Sequence, residues 1–275
     1  RQRQMCIRDR YEEMRAAFHW ASKNKSNVVV YHNALINYFV TCQVVKKYDE
    51  CKWIVKEIEA IDIGGALSAD LQLSVLFWVK LYVCLGTGNF DEGTLYVKSV
   101  EKRVLSLDMK SYYYNLQGGA YAAAYLFFIQ GNYSETLMWL NKFYFFKKNE
   151  FGVRDDLFFK ASLLYMLVHY ELKNEELLKY VIKHTYKWLL KANALNNYEK
   201  TILGFIRKEM ATPKTHKEML LAYKKLKDKL SQLAKDPLNM VIVDQLDLCA
   251  WLESKIDKRS FEEVLKKKIE AEFLK

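Results

Sequence analysis

The chain is poor in the residues that interrupt helices. It has 2 Pro and 10 Gly in 275 residues, while hydrophobic residues make up 51% of the sequence. This composition excludes a disordered chain and favours a folded protein rich in regular structure. No segment alternates polar and apolar residues in the way that β-strands do, so no sheet is predicted.

Motifs for catalysis, metal binding and nucleotide binding are also absent from the sequence. The cysteines form no CxxC pair, and the histidines do not occur at the i, i+4 spacing of helical metal sites. There is no nucleophile motif and no glycine-rich phosphate loop. Gly118 and Gly119 lie inside a predicted helix, where they favour close packing rather than ligand approach. We therefore predict a protein that is not an enzyme and that has no cofactor and no metal site.

Membrane insertion and export receive little support. The apolar segment 115–130 is interrupted by Gln117, Gly118 and Gly119, and it is shorter than the roughly 20 residues that cross a bilayer. No charged-then-apolar leader opens the sequence. Dispersed cysteines favour buried free thiols in a reducing compartment, so we predict a cytoplasmic protein without a membrane span.

Residues 1–10 differ in character from the rest of the chain. The sequence begins with Arg1, and segment 5–10 (MCIRDR) resembles the translation of a transposase-type sequencing adapter. We therefore expect residues 1–10 to be non-native and the native protein to be longer at its N-terminus. The alternative is a short basic start of a helix.

A short pattern recurs at intervals of about 42 residues. It consists of Asn or Lys, an aromatic residue and, two residues later, Glu, and it separates long apolar segments. The copies are 47–50 (KYDE), 89–92 (NFDE), 132–135 (NYSE) and, more weakly, 174–176 (NEE). Such a period is typical of a helical solenoid, in which each helix pair buries its apolar face against its neighbours.

Apolar residues at a spacing of 3.6 predict a helix on each side of every copy. The predicted pairs are 27–46 with 48–61, 68–86 with 90–104, 110–130 with 133–148, and 154–172 with 174–192. Beyond them the spacing is expected to change, with helices at about 195–210 and 214–234 and a final pair at about 241–257 and 260–274. We therefore assign 11–192 to a repeat array and 193–275 to C-terminal helical repeats with a cap.

The junctions resemble those of tetratricopeptide repeats. In that family a Gly-Asp/Asn-Tyr step joins two helices, and a small residue follows three positions after the aromatic one. Cys51, Gly93 and Thr136 occupy the small position here, whereas Leu178 departs from it in the fourth copy. The resemblance implies an all-α, right-handed α-solenoid of tetratricopeptide-like helix pairs, elongated from the family's unit of about 34 residues.

Residues from about 111 to the C-terminus are similar to a family of uncharacterised bacterial helical-repeat proteins. The likeness rests on Gly131-Asn132-Tyr133, on 168–172 (VHYEL) and on 251–256 (WLESKI). It implies a fold and supplies no activity.

The tetratricopeptide resemblance also implies a partner-binding groove, because in such arrays the first helix of each pair lines the concave side. The positions at the family's offsets are Asn33, Ile36, Val40, Gln43, Trp78, Tyr82, Tyr121, Tyr125, Phe128, Lys160 and Tyr170. Tyr and Trp are favoured at binding hot spots, and a groove of this kind suits a peptide or a helix.

This groove predicts a protein-interaction scaffold in which Asn33, Gln43 and Lys160 orient the backbone of the partner. Replacing Tyr121 and Tyr125 with Ala is then expected to abolish partner capture while leaving the helical circular dichroism intact. The alternative is that the aromatic side chains pack in the core.

The segment 214–235 supports a different function. It interleaves leucines with Lys214, Lys217, Lys224, Lys225, Lys227, Lys229 and Lys235. Such a face could neutralise phosphates, although Glu218 and Asp228 lie in the same segment and aromatic residues for base stacking are missing. A solvated amphipathic helix is the structural interpretation, nucleic-acid association the alternative function, and a regulatory module of a larger protein a third. The sequence indicates no oligomeric state.

Overall fold

The computed structural model describes residues 2–23, 26–61, 68–107, 109–147, 155–191, 197–210, 214–234 and 246–274. Within these ranges the protein is helical and has no strand, which confirms the all-α prediction. The α-helices are α1 Gln2–Lys23, α2 Val28–Val44, α3 Tyr48–Ala60, α4 Ala69–Thr87, α5 Phe90–Ser106, α6 Met109–Ile129, α7 Tyr133–Lys147, α8 Asp155–Glu171, α9 Glu175–Lys191, α10 Asn197–Phe205, α11 His216–Leu233, α12 Leu248–Asp257 and α13 Phe261–Phe273. A π-helical turn, Ile206–Met210, continues α10.

The predicted helix bounds agree with these to within a few residues, with two differences. The sequence assigned no helix before residue 27, whereas α1 covers most of that segment. The first helix of the final pair begins at Leu248 instead of about 241, and residues 235–245 lie outside the described ranges.

One backbone turn joins the two helices of a pair at five places. A residue with positive φ follows the first helix at Lys46 (59°), Gly88 (77°), Gly131 (73°), Lys173 (56°) and Lys258 (55°). The next residue donates its amide N–H to a carbonyl five residues earlier: Lys47 to Cys42, Asn89 to Cys84, Asn132 to Phe127, Asn174 to His169 and Arg259 to Ser254, at 2.8–3.1 Å. This is the Schellman cap, which satisfies carbonyl groups that the end of a helix leaves unbonded.

Four of these turns recur at the predicted period of about 42 residues. The first four lie 42, 43 and 42 residues apart, and the last lies 85 residues beyond Lys173. Between these two turns, the described residues show no positive-φ turn, and Thr215, 42 residues beyond Lys173, has a φ of −67° and caps α11. The predicted change of spacing after the fourth pair stays a prediction.

The chain divides into two compact units. Unit 1 comprises Arg1–Leu126 with Lys142–Lys148, and unit 2 comprises Phe127–Asn141 with Asn149–Lys275. Unit 1 contains α1 to α5 and most of α6, while unit 2 contains most of α7 and all of α8 to α13. The division of the sequence at residue 192 stays a prediction.

In unit 1, the adjacent glycines of α6 allow that helix to pack closely on α4. A Cβ atom at Gly119 would lie 2.3 Å from Phe77 Cδ1, and one at Gly118 would lie 2.9 Å from Trp78 Cδ1. Both distances are shorter than a van der Waals contact, so a larger residue would force these side chains to shift. The close-packing role predicted for the glycine pair is therefore confirmed.

Among the described residues, α4 is the one helix long and apolar enough to cross a membrane. The core helix of a soluble protein meets the same test, and less than half of the apolar window is buried. Lys80, near the middle of the helix, forms an ion pair with Glu59 of α3. The composition of α4 is therefore only weak evidence for a membrane span.

Tyr11 anchors α1 to the rest of unit 1. Its side chain is buried, and its hydroxyl group donates to both carboxylate oxygens of Glu50, at 2.9 and 3.0 Å. The Tyr38 hydroxyl and Lys47 Nζ donate to the same carboxylate. Residues 2–10 form the start of α1, but the structure does not describe the side chains of 1–8, so the proposal that 1–10 is non-native stays a prediction.

Acid is expected to destabilise unit 1 through Glu50. Burial alone would raise the pKa of this carboxyl group, but hydrogen bonds from Tyr38, Lys47 and Tyr11 outweigh burial and lower the pKa. The contribution of Glu50 to stability is therefore present above the ordinary carboxyl pKa of about 4.5, and it is lost as the pH falls through the folded value. We expect Glu50→Gln to flatten the dependence of the urea midpoint on pH between about 3 and 6.

The matched control is Asp49→Asn, because the Asp49 carboxylate is fully exposed and lies 3.6 Å from Lys52 Nζ. This change should leave the pH dependence as it is in the wild type, since exposed ion pairs contribute little. The same pH dependence in Glu50→Gln as in the wild type would contradict the assignment.

Candidate partner-binding surfaces

An uncharged stripe runs along the outer side of α2 in unit 1. It consists of Val29, Asn33, Ile36, Val40, Gln43 and Val44, and we call it the α2 stripe. Its first five residues follow one another at steps of three or four, and Val44 lies four residues beyond Val40. Val29, Val40 and Val44 are 43%, 39% and 41% exposed. Four of the predicted groove residues therefore lie together on one accessible helix face, with Asn33 exposed and Ile36 and Gln43 half-buried.

The opposite face of α2 is buried, and the whole helix contains no Asp, Glu, Lys or Arg. The predicted residues of α4 lie next to it. Trp78 is half-buried, with its ring 5.5 Å from that of Phe39 and 6.0 Å from that of Tyr82, while Tyr82 itself is buried. Only Trp78 of this helix can thus extend the accessible surface.

The predicted groove residues Tyr121, Tyr125, Phe128 and Lys160 are interior residues. They are 1%, 5%, 2% and 1% exposed. In unit 1 the Tyr121 ring stacks on that of Tyr125 at 6.4 Å and meets the edge of Phe143 at 6.5 Å. In unit 2, Phe128 packs 5.8 Å from Phe261. These four cannot contact a partner as placed, so the prediction that they line an open groove is corrected.

Tyr170, the last predicted groove residue, belongs to unit 2. Its hydroxyl lies 2.5 Å from that of Tyr223, and its ring lies 6.1 Å from that of Trp251. Burial raises the pKa of both phenols, so the pair is neutral at physiological pH. Tyr170 lines a cavity of about 620 Å³ together with His169 and other residues of α8, α9, α11 and α12.

The Lys-rich segment forms α11, which is amphipathic as predicted. A capping box of Thr215 and Glu218 starts the helix, and Tyr223, Leu226 and Leu230 form its buried face. The lysines that face solvent are Lys214, Lys217, Lys224, Lys225 and Lys229. Lys227 pairs with Glu253 at 2.7 Å, and Lys235 lies outside the described residues.

Sequence reasoning missed a groove between α10 and α11. It encloses about 850 Å³, and one continuous face of each helix lines it. The apolar residues that line it are Gly204, Phe205, Leu221, Ala222, Leu226 and Leu233, and we call this feature the α10–α11 groove. The one signal in the sequence was Leu221, an apolar residue at helical spacing from Lys217, Lys224 and Lys225.

The described residues contain no group of three or more His, Cys, Asp or Glu side chains placed to hold a metal ion. Comparisons with protein-family models, with curated proteins and with solved structures found no match for this chain. The functional proposal therefore rests on the surfaces of the described residues.

Proposed function

We propose that the chain is a non-catalytic protein-interaction scaffold that acts in the cytoplasm and is built as a right-handed α-solenoid of tetratricopeptide-like helix pairs. The equivalent turns at Lys46, Gly88, Gly131 and Lys173 support the repeat design. Buried free thiols such as Cys42 support a reducing compartment. The proposed interaction function rests on the exposed, uncharged α2 stripe.

The chemistry of the α2 stripe suits a peptide or helix with an uncharged apolar face. Helices on a protein surface normally present charged and polar residues to water, whereas α2 presents valines. Covering Val29, Val40 and Val44 would contribute about 1 kcal/mol each, because each is already more than half buried. The amides of Asn33 and Gln43 can bond the backbone of the partner and fix its position.

A charged residue in the α2 stripe is expected to abolish this binding. Peptides selected by display from a random library against the full chain should lose at least about tenfold in affinity for Val40→Glu and for Val44→Glu. The physical reason is that a carboxylate buried under an apolar partner loses its hydration without gaining a counter-ion. Titration calorimetry would measure the affinity of each selected peptide.

Leu95→Glu provides the matched control, because Leu95 is an exposed apolar residue of α5 in the same unit but outside the α2 stripe. It should leave the affinity unchanged. If no selected peptide loses affinity for the Val40 and Val44 variants, the stripe is refuted as the docking surface.

A further inference from the structure

The α10–α11 groove combines an apolar floor with a basic rim. Leu221, in its floor, is 54% exposed. On the rim, Lys200, Lys225 and Lys229 are exposed and form no ion pair with any residue that the structure describes. The groove therefore offers uncompensated positive charge beside apolar surface.

The acidic residues of the groove are already engaged. Glu209 pairs with Lys214 at 3.0 Å. Glu218 accepts hydrogen bonds from the backbone N–H and the hydroxyl group of Thr215, which caps α11. Five lysines line the groove against these two carboxylates, so its net charge is positive.

We propose that the α10–α11 groove binds an acidic amphipathic helix of a partner protein. Apolar side chains of that helix would cover Leu221 and Ala222, and carboxylates on its flanks would pair with Lys200, Lys225 and Lys229. This is a second docking site with a different chemistry from the α2 stripe, and it lies within unit 2.

The walls of the groove favour a helix over an extended peptide. Both walls are helices, whose backbone groups bond within the helix and leave no sheet edge to pair with. An extended peptide would therefore find no backbone partner in the groove and would depend on water for its own N–H and C=O groups. A helical ligand satisfies its own backbone and needs only side-chain contacts.

A nucleic acid fits the same groove less well. The apolar floor supplies no hydrogen-bond donors for its bases. Phe205 is buried, so it offers no open ring face on which a base could stack.

The probe is a synthetic peptide of roughly 15 residues, about four helical turns, with Leu on one face and Glu on both flanks. A control peptide has the same composition with its leucines scattered around the helix. Fluorescence anisotropy with the full chain should show at least about tenfold tighter binding of the amphipathic peptide. Equal binding of the two peptides would reduce the effect to non-specific charge attraction and overturn the proposal.

Gly204 allows the groove to be filled without disturbing the core. A Cβ atom there would meet no atom within 4 Å, so a larger side chain extends into open space. Gly204→Phe should weaken peptide binding at least about tenfold, whereas Gly204→Ala, which adds one methyl group and favours the helix, should stay within about twofold.

Reversing charges on the rim is a second test of the groove. It does not depend on Gly204→Phe and remains informative if that variant fails to fold. Lys225→Glu combined with Lys229→Glu should weaken binding at least about tenfold. Lys224→Glu is the control, because Lys224 is exposed on the same helix but does not line the groove. It should change the affinity less than about threefold.

Unchanged affinity in both the Gly204→Phe and the charge-reversed variants would overturn the proposal. So would tighter binding of duplex DNA than of the peptide, with a steep loss of affinity as salt rises, since that marks a phosphate-binding face. All of these variants lie in unit 2, so their outcome is independent of the tests on Val40 and Val44 in unit 1.

Discussion

Replacing Glu171 with Ala is expected to destabilise unit 2 by about 2–3 kcal/mol, because the carboxylate is the acceptor for a buried N–H group and pairs with a lysine. One oxygen accepts from Trp251 Nε1 at 2.7 Å, and Lys255 Nζ lies within 2.6 Å of the carboxylate. The Trp251 side chain is buried, so its N–H would lose its partner inside the protein. The variant would also leave the Lys255 ammonium unpaired beside the Trp251 ring, where it lies 5.6 Å from the centroid.

Hydrogen exchange read by mass spectrometry would locate this effect. Amides of α8 and α12 should exchange faster in Glu171→Ala, and the urea midpoint of the full chain should fall. Glu171→Gln should be less damaging, because an amide oxygen can still accept from Trp251.

Glu176→Ala serves as the control for Glu171. Glu176 lies on the neighbouring helix α9 and pairs with Lys179 at 3.0 Å, but its side chain is almost fully exposed. Exposed pairs contribute about 0–1 kcal/mol, so this variant should behave as the wild type. Similar stability losses in Glu171→Ala and Glu176→Ala would show that burial of the Glu171 network has no special energetic role.

The double replacement of Tyr121 and Tyr125 with Ala is expected to unfold unit 1. Removing a buried aromatic ring costs about 3–5 kcal/mol, and the total stability of a domain is about 5–15 kcal/mol. Both rings are buried and stacked on each other. Removing both therefore leaves one cavity that neither ring remains to fill. Helical circular dichroism should decrease and the thermal transition should move down or disappear.

Tyr114→Ala is the control for this pair. Tyr114 lies on the same helix, α6, but 65% of its side chain is exposed. Its replacement should change the free energy of unfolding by less than about 1 kcal/mol. If the double variant of Tyr121 and Tyr125 retains the wild-type spectrum and melting temperature, the two rings are not part of the core. That result would favour the exposed groove positions that the tetratricopeptide resemblance implied.

The contrast between α2 and α6 explains why the predicted groove was only partly accessible. Ile36, Val40 and Gln43 are spaced by four and three residues, and so are Tyr121, Tyr125 and Phe128. The first set lies on a half-exposed or exposed face, whereas the second is buried. Both helices are apolar all round, so hydrophobic periodicity could not distinguish a covered face from an open one.

By contrast, signals within a few residues of sequence were sufficient to predict the helix pairs. Gly88 and Gly131 adopt the positive φ that a Schellman turn requires, and Lys46 and Lys173 adopt it at the equivalent positions despite their side chains. The turn is built from residues a few positions apart, which explains why its pattern was detectable in the sequence. The step at Lys258 had no comparable signature in the sequence, and only its backbone shows that the same turn occurs there.

The sequence by itself determined the helical class, the approximate helix bounds and the close packing at Gly118 and Gly119. Each of these follows from apolar spacing, capping chemistry or the size of a residue, which act within a few residues along the chain. The tertiary structure alone decided that Tyr121 is buried while Val40 is exposed, and that Glu171 meets Trp251, 80 residues away. Burial and such pairings depend on which distant helix covers a face, and the sequence of a single helix does not specify which other helix packs on it.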